Sequence, residues 1–304
     1  MRHLFVFITI FVLFFVLTAE STSAAPLFAV DTDIYLGQQS RRNSCGGGGR
    51  IWANVYFGDT TLKPVAEEKI RPHFIGFQLG LDIAKYNGVY STFFININQT
   101  KTKFDGDSSK IDNFLLGYSK FTNWSPFLFT LSGSIGYDQY AVSGGGNGKG
   151  DGLQINFFGE FGLDYKLGKW GFQPFYALQY DFLYHGNIGD SVGDWNGHGL
   201  NQLFGMRTNW KVTEMLELQS RATWVHEMLD KPPPFFHARF SPVHGINTPA
   251  ILYHAGNTGR DWAWLGIGAK IEIIDGINVY FDYDVLLNER HVTHLGSAGL
   301  CVGW

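Results

Sequence analysis

Along most of the chain, apolar and polar side chains alternate at every residue, which is the period of a β-strand. In residues 277–287 one face carries Val279, Phe281, Tyr283, Val285 and Leu287. The opposite face of that run carries Asn278, Tyr280, Asp282 and Asp284. The last run places Leu300, Val302 and Trp304 on one face and Ser297, Gly299, Cys301 and Gly303 on the other. Such strands need either the core of a sandwich or the hydrocarbon of a membrane for their apolar faces.

Turn signals such as Asp275-Gly276 divide the chain into about twelve predicted strands. They span residues 51–57, 73–85, 88–101, 110–121, 127–142, 152–167, 172–184, 199–210, 215–228, 261–274, 277–287 and 291–304. An even number of strands is usual for bacterial single-chain barrels. The predicted fold is therefore all-β, a closed antiparallel up-and-down transmembrane β-barrel.

The predicted connections alternate in length along the chain. Those at residues 86–87, 122–126, 168–171, 211–214 and 275–276 are tight. The alternate connections, at residues 58–72, 102–109, 143–151, 185–198 and 229–260, are long. The exception in this second set is the short connection at residues 288–290. Outer-membrane barrels have short periplasmic turns at one end and longer external loops at the other, so short and long connections alternate along the chain. A Greek-key sandwich is not expected to show this alternation. We therefore expect both chain ends on the periplasmic side.

Charged residues fall on the polar faces of these strands, because Arg or Lys facing lipid at the midplane costs about 2–4 kcal/mol. The charges expected to line the lumen are Glu160, Asp164, Arg207, Arg221 and Glu227. We expect ion-paired networks across a narrow, partly filled pore. Two features do not fit: His294 shares an apolar face, and residues 261–270 can be phased either way.

Composition agrees with a membrane barrel and excludes some partners. Charged residues make up 16% of the 304 residues, against about a quarter in average domains. The net charge of −4, without a basic tract, predicts no nucleic-acid partner. Residues 1–24 have the pattern of a Sec-type signal peptide: Arg2 and His3, an apolar run shorter than a membrane helix, then small residues. Residues 25–49 end in four glycines and are expected to form a linker or lumenal plug.

Several segments resemble known motifs when taken in order. They are RIWANVYFGD (50–59), GFQLGLDIAK (76–85), FQPFYALQYDFLYH (172–185), LFGMRTNW (203–210), ATWVHEMLD (222–230) and GRDWAWLGIGAKI (259–271). Together they resemble the translocator β-domain of autotransporters, the type V secretion proteins of diderm bacteria, over residues 50–304. The resemblance implies an outer-membrane barrel of about twelve strands with a peptide segment threading its lumen.

The resemblance also implies assembly partners. The barrel-assembly machinery would read the C-terminal signal Leu300, Val302 and Trp304, although Val302 stands where an aromatic residue is usual. The family carries passengers of hundreds of residues, whereas only residues 25–49 lie between the expected cleavage site and the first strand. The expected function is passage of this N-terminal segment across the outer membrane. A stand-alone porin-like or structural barrel in outer-membrane lipid, presumed monomeric, is the alternative.

Other candidate chemistry is weaker. His226-Glu227 would need a second histidine at position 230, which is aspartate, to match a metalloprotease motif. A loop metal site would use His237, His244 and His254, and a rim hydrolase would use Ser241, His244 and Asp261. Irregular spacing argues against the metal site, and the hydrolase set is unspecific because nearly any loop of this composition supplies one. We expect no enzyme activity, cofactor or metal.

The two cysteines lie near the same predicted rim. Cys45 precedes the first strand and Cys301 lies near the end of the last, and these strands pair in a closed barrel. Disulfides persist in an oxidising compartment, so a Cys45–Cys301 bridge is expected to fix the N-terminal segment against the lumen wall. Two independent thiols are the alternative, because the glycine run leaves Cys45 free to move.

Overall fold

The computed structural model describes residues 49–62, 71–86, 89–104, 107–143, 148–187, 195–229, 238–239, 251–252, 260–288 and 291–303. Twelve long strands are β1 (Arg50–Leu62), β2 (Arg71–Tyr86), β3 (Val89–Phe104), β4 (Asp107–Trp124), β5 (Phe127–Ser143), β6 (Gly148–Leu163), β7 (Trp170–His185), β8 (Trp195–Lys211), β9 (Leu216–Glu227), β10 (Asp261–Ile274), β11 (Ile277–Leu287) and β12 (His291–Gly303). After Asp164, β6 continues as Tyr165–Leu167, and a short hairpin pairs Ala238–Arg239 with Ile251–Leu252. Across these ranges no helix is long and apolar enough to cross a membrane.

Every long strand pairs antiparallel with the strands before and after it in the chain. The sheet closes because β1 pairs with β2 along one edge and with β12 along the other. At that seam Arg50 lies opposite Gly303, and Leu62 lies opposite His291. The prediction of a closed, twelve-stranded, up-and-down barrel is confirmed.

The two faces of each strand differ sharply in exposure. On β2, Phe77 and Leu81 point outward and are each 40% exposed, whereas the neighbouring Gln78 and Asp82 point inward at 0% and 1%. The same alternation runs around the barrel, with large apolar side chains outside and polar ones buried inside. An apolar outer belt of this extent fits lipid rather than water.

The two features that did not fit the sequence pattern have structural explanations. His294 does face outward, near the start of β12, where its Nδ1 lies 2.7 Å from the Tyr283 hydroxyl. On β10, Trp262 and Trp264 turn into the barrel and are 6% and 2% exposed. The phase of β10 was ambiguous because its tryptophans fill the interior while Ile267 faces outward.

The connections define two rims. The terminal rim holds both ends of the barrel, the end of β2 and the start of β3, and the turns at residues 125–126, 168–169, 212–215 and 275–276. Gly168 and Gly276 have φ of 59° and 77° in these turns, a region that favours glycine. The opposite rim, here the loop rim, holds the remaining connections, including residues 228–260 between β9 and β10.

Four connections at the loop rim are shorter than the sequence pattern predicts, because β1 runs to Leu62, β8 begins at Trp195, and the strands that flank two further connections are also longer. Residues 102–109 were expected to form a loop, but β3 runs to Phe104 and β4 begins at Asp107. Residues 143–151 are likewise mostly strand, because β6 begins at Gly148. A tilted strand needs about 9–11 residues to cross a bilayer, and β4 has 18. These strands therefore continue beyond the membrane, where polar side chains on both faces resemble a loop in sequence.

Inside the barrel, aromatic rings lie against glycines of neighbouring strands. The Trp52 ring covers Gly80, and a Cβ added there would lie 2.1 Å from ring atoms. The Tyr280 ring covers Gly299 in the same way, at 2.1 Å. Glycine is needed at these places because the ring occupies the volume that a side chain would take.

Gly80→Ala should therefore destabilise the barrel by about 1–3 kcal/mol, because the Trp52 ring has to move. Thermal unfolding, followed by heat-modifiable migration in electrophoresis, measures the effect. The matched control is Gly159→Ala on the outer face, where an added Cβ would be 4.0 Å from its nearest neighbour. Equal melting temperatures for the two variants would contradict this account of the glycines.

Candidate functional site: the lumen wall

One side of the lumen is lined by neutral polar side chains from β3 to β6, each at most 7% exposed. This amide–hydroxyl wall consists of Thr92, Asn96, Asn98, Asn113, Ser119, Thr130, Ser132, Ser134, Gln154 and Asn156. These side chains occupy the inward positions because alternate residues of a strand share a face. The resulting surface carries many neutral donors and acceptors and one carboxylate, Asp138 on β5, which is 0% exposed and accepts a hydrogen bond from Asn113 at 2.6 Å.

The amides of this wall are hydrogen-bonded to one another across strands. The Asn98 Nδ2 donates to Asn113 Oδ1 at 3.0 Å, and Asn113 Nδ2 donates to Gln154 Oε1 at 3.1 Å. The chain continues from Gln154 to Asn156 at 3.2 Å and from Asn156 to Ser134 at 3.1 Å. Neighbouring strands are thereby tied together by side chains as well as by backbone.

A buried ion pair joins β6 to β8. The Arg207 guanidinium donates two hydrogen bonds to the Glu160 carboxylate, at 2.9 Å and 2.5 Å, and the two side chains are 8% and 1% exposed. The guanidinium also lies 3.9 Å from the centre of the Phe175 ring. This bidentate geometry is among the strongest arrangements of opposite charges in proteins. Both residues are among those the sequence pattern assigned to the lumen.

A second ion pair joins β9 to β11. The Nε of Arg221 donates to Asp284 Oδ1 at 2.6 Å, a second guanidinium nitrogen contacts Asp284 Oδ2, and Asp282 lies 3.8 Å away. The Trp264 indole donates to the same Asp284 oxygen at 3.1 Å. Arg221 was predicted to face the lumen, but its pairing with Asp284 was not predicted. Asp282 and Asp284 were on the polar face of their predicted strand, which was the available signal.

Asp164 and Glu227 also line the interior but pair differently from the expectation. Asp164 accepts a hydrogen bond from Gln173 at 3.1 Å, and the exposed Lys166 lies 3.9 Å away. Glu227 accepts hydrogen bonds from the backbone N–H groups of Leu200 and Leu229, at 3.2 Å and 3.3 Å. Neither carboxylate contacts Arg207 or Arg221 in the described part of the chain.

A small cavity separates the two arginine clusters. Its volume is about 30 Å³, which is enough for ordered water. Gln173, Asn209 and Gln219 line it together with Arg207 and Arg221. The arginine side of the lumen is therefore closely packed.

The C-terminal strand carries the expected assembly signal and one cysteine. Leu300 faces outward and is 42% exposed, and Val302 shares that face. Trp304 lies outside the described residues. Cys301 faces inward, is 2% exposed and takes part in a disulfide. Cys45 is outside the described residues, so its pairing with Cys301 stays a prediction.

The weaker chemical candidates are not brought together. His226 faces outward, with its Nδ1 2.9 Å from Asp261, whereas Glu227 faces inward. These two residues therefore cannot act on one metal ion, and the metalloprotease hypothesis fails on geometry. Ser241, His237, His244 and His254 lie outside the described residues. The described ranges contain no group of three metal-ligating side chains.

Comparisons with known proteins agree on one kind of barrel. A family model described as "Autotransporter beta-domain" matches residues 51–284. The translocator domain of the autotransporter NalP from Neisseria meningitidis has a TM-score of 0.67 at 14% identity, covering 93% of this chain and 100% of that one. The β-domain of the Bordetella autotransporter BrkA scores 0.62 at 15% identity, covering 84% and 100%. The transport unit of AIDA-I from Escherichia coli scores 0.62 at 13% identity, covering 84% and 90%. No curated protein sequence matches.

Removing one partner of the Arg207–Glu160 pair should be costly. Glu160→Ala leaves a buried guanidinium without its counter-ion, so we expect the free energy of unfolding to fall by about 3–5 kcal/mol. Urea unfolding in lipid vesicles measures this loss. The control is the double variant Glu160→Leu with Arg207→Met, which removes both charges and should recover most of the stability. A double variant as unstable as the single one would contradict the assignment.

Proposed function

Because the chain belongs to the autotransporter β-domain family, we propose that its barrel forms the pore through which an N-terminal peptide segment crosses the outer membrane. The observation that carries the proposal is the polar lumen of a closed barrel. Buried amides, hydroxyls and charged groups line the interior, interleaved with buried apolar residues such as Trp52, Phe94 and Trp264, while the outer wall is apolar. Barrel domains of this family reside in the outer membrane, where they act as transport barrels.

The amide–hydroxyl wall suits a passing polypeptide. The backbone of an extended peptide loses its hydrogen bonds to water when it enters the pore. It needs new partners in the wall, because each unpaired backbone group costs about 1–3 kcal/mol. Neutral amides and hydroxyls both donate and accept. They can therefore replace water for any segment without holding one sequence by charge.

The charged side of the lumen supports the same proposal. Arg207 and Arg221 have their charges balanced by Glu160 and Asp284 in the wall itself. Internally balanced charges do not need a counter-ion from the passing segment. The arginine clusters would therefore stiffen the wall, and the passing polypeptide would move along the amide–hydroxyl wall.

The orientation follows from the rims. The terminal rim, with short turns and both strand ends, would face the periplasm, and the loop rim would face outside. The barrel-assembly machinery would recognise Leu300, Val302 and Trp304, of which Leu300 and Val302 lie on the outer face beside the seam.

Residues 25–49 would be the segment that occupies or tethers the pore, and residues 1–24 its signal peptide. A bridge from Cys45 to Cys301 would hold that segment at the terminal rim, because Cys301 is an inward residue two positions before the end of β12. Intact-mass measurement without reductant tests the bridge. Two alkylatable thiols per chain would refute it.

The pore role predicts a conductance that depends on residues 25–49. In planar lipid bilayers the full chain should pass little current, and deletion of residues 25–49 should raise the current several-fold. The deletion variant must first show heat-modifiable migration, so that leakage by misfolded protein is excluded. Equal currents from both proteins would instead favour a porin-like barrel.

A further inference from the structure

Three lysines lie close together on the outer wall near the loop rim. They are Lys101 on β3, Lys110 on β4 and Lys149 on β6, here called the lysine patch. Lys101 is directly opposite Lys110, and Lys110 and Lys149 are both opposite Ala141 on β5. Strands lie about 4.8 Å apart. The patch therefore spans four adjacent strands.

The level of the patch on the barrel follows from its neighbours on the same face. Toward the loop rim, the outward side chains of β3 change from Ile97 to Gln99 to Lys101. On β4 they change from Phe114 through Asp112 to Lys110, in the same register. The apolar belt thus ends one polar residue below the patch. Long lysine side chains at such a boundary place their ammonium groups among lipid headgroups.

The protein balances this charge only in part, because the three lysines face two carboxylates, those of Asp112 and Asp151. Lys110 pairs with Asp112 at 2.6 Å, and these side chains are 43% and 41% exposed. Asp151, the other carboxylate on this face, accepts a hydrogen bond from the Tyr137 hydroxyl at 2.6 Å. Lys101 and Lys149 form no ion pair with any described residue.

The placement of Lys101 opposite Lys110 also needs an explanation. Like charges directly opposite each other on one sheet face are destabilising. Asp112 interacts with both ammonium groups and offsets part of this repulsion, and a lipid phosphate between the two lysines would offset the rest. Outward lysines at the terminal rim are arranged differently: Lys120 lies opposite Ser91 and Leu131, not opposite another lysine.

We propose that the lysine patch binds phosphate groups of anionic glycolipid in the outer leaflet. One phosphate would lie between Lys101 and Lys110, and Lys149 would contact a second. This inference rests on the proposed orientation, in which the loop rim is external. Its consequence is a fixed position of the β3–β6 wall in the lipid, on the side of the barrel that carries the amide–hydroxyl wall.

The test measures lipid binding by the full chain in zwitterionic detergent. Native mass spectrometry, with diphosphoryl lipid A as the probe, gives the apparent affinity. Each lysine near an anionic surface should contribute about fivefold, so the triple variant Lys101→Gln, Lys110→Gln, Lys149→Gln should bind about 100-fold more weakly. Lys101→Gln alone should bind the lipid about fivefold more weakly. This single variant still tests the proposal if the triple variant misfolds.

The matched control changes the same number of charges at the terminal rim, as Lys120→Gln, Lys166→Gln, Lys211→Gln. It should bind the lipid as the unchanged chain does. Equal loss in both triple variants would assign the effect to net charge and overturn the proposal, as would no loss in either. Displacement of the lipid by inorganic phosphate at equal concentration would also overturn it. None of these results depends on conductance, so the pore role is tested separately.

Discussion

The structure depends on the closure of its sheet. In hydrocarbon no water is available to backbone N–H and C=O groups, so a β-structure can cross a membrane only if it has no free edge. Here all thirteen residues of β1 find partners on β12, and β1 also pairs with β2. Closure separates an inside from an outside, and strand alternation then assigns each side chain to one of them.

The chemistry of the two surfaces follows from that separation. The outer face has to be apolar because charged side chains there are costly at membrane depth. Most buried polar groups of the inner face have partners, through cross-strand amide chains and ion pairs such as Arg207–Glu160. A lumen that balances its own charges can present a neutral wall to a passing segment. The translocation role proposed for the barrel thus uses the same pairing that stabilises it.

Strand faces could be predicted from sequence, whereas partners across the barrel could not. Alternation on β9 was enough to predict that Arg221 faces inward, because successive side chains of a strand point to opposite faces, one toward lipid and one toward the lumen. Its partner Asp284 is 63 positions away, so that contact depends on two registers, that of β9 with β10 and that of β10 with β11. Trp262 and Trp264 escaped prediction because apolar residues filled both faces of β10. The polar ends of β3 and β4 resembled loops because beyond the membrane neither face has to be apolar.

Site-directed spin labelling along β9 in lipid vesicles tests most directly whether the apolar faces meet lipid and the polar faces meet the lumen. Single labels are placed at Leu218, Gln219, Ala222 and Thr223 in a chain with Cys45→Ser and Cys301→Ser. Oxygen, which concentrates in hydrocarbon, should relax the labels at Leu218 and Ala222 strongly and those at Gln219 and Thr223 weakly. Equal relaxation at all four positions, or the reverse order, would contradict the barrel described here.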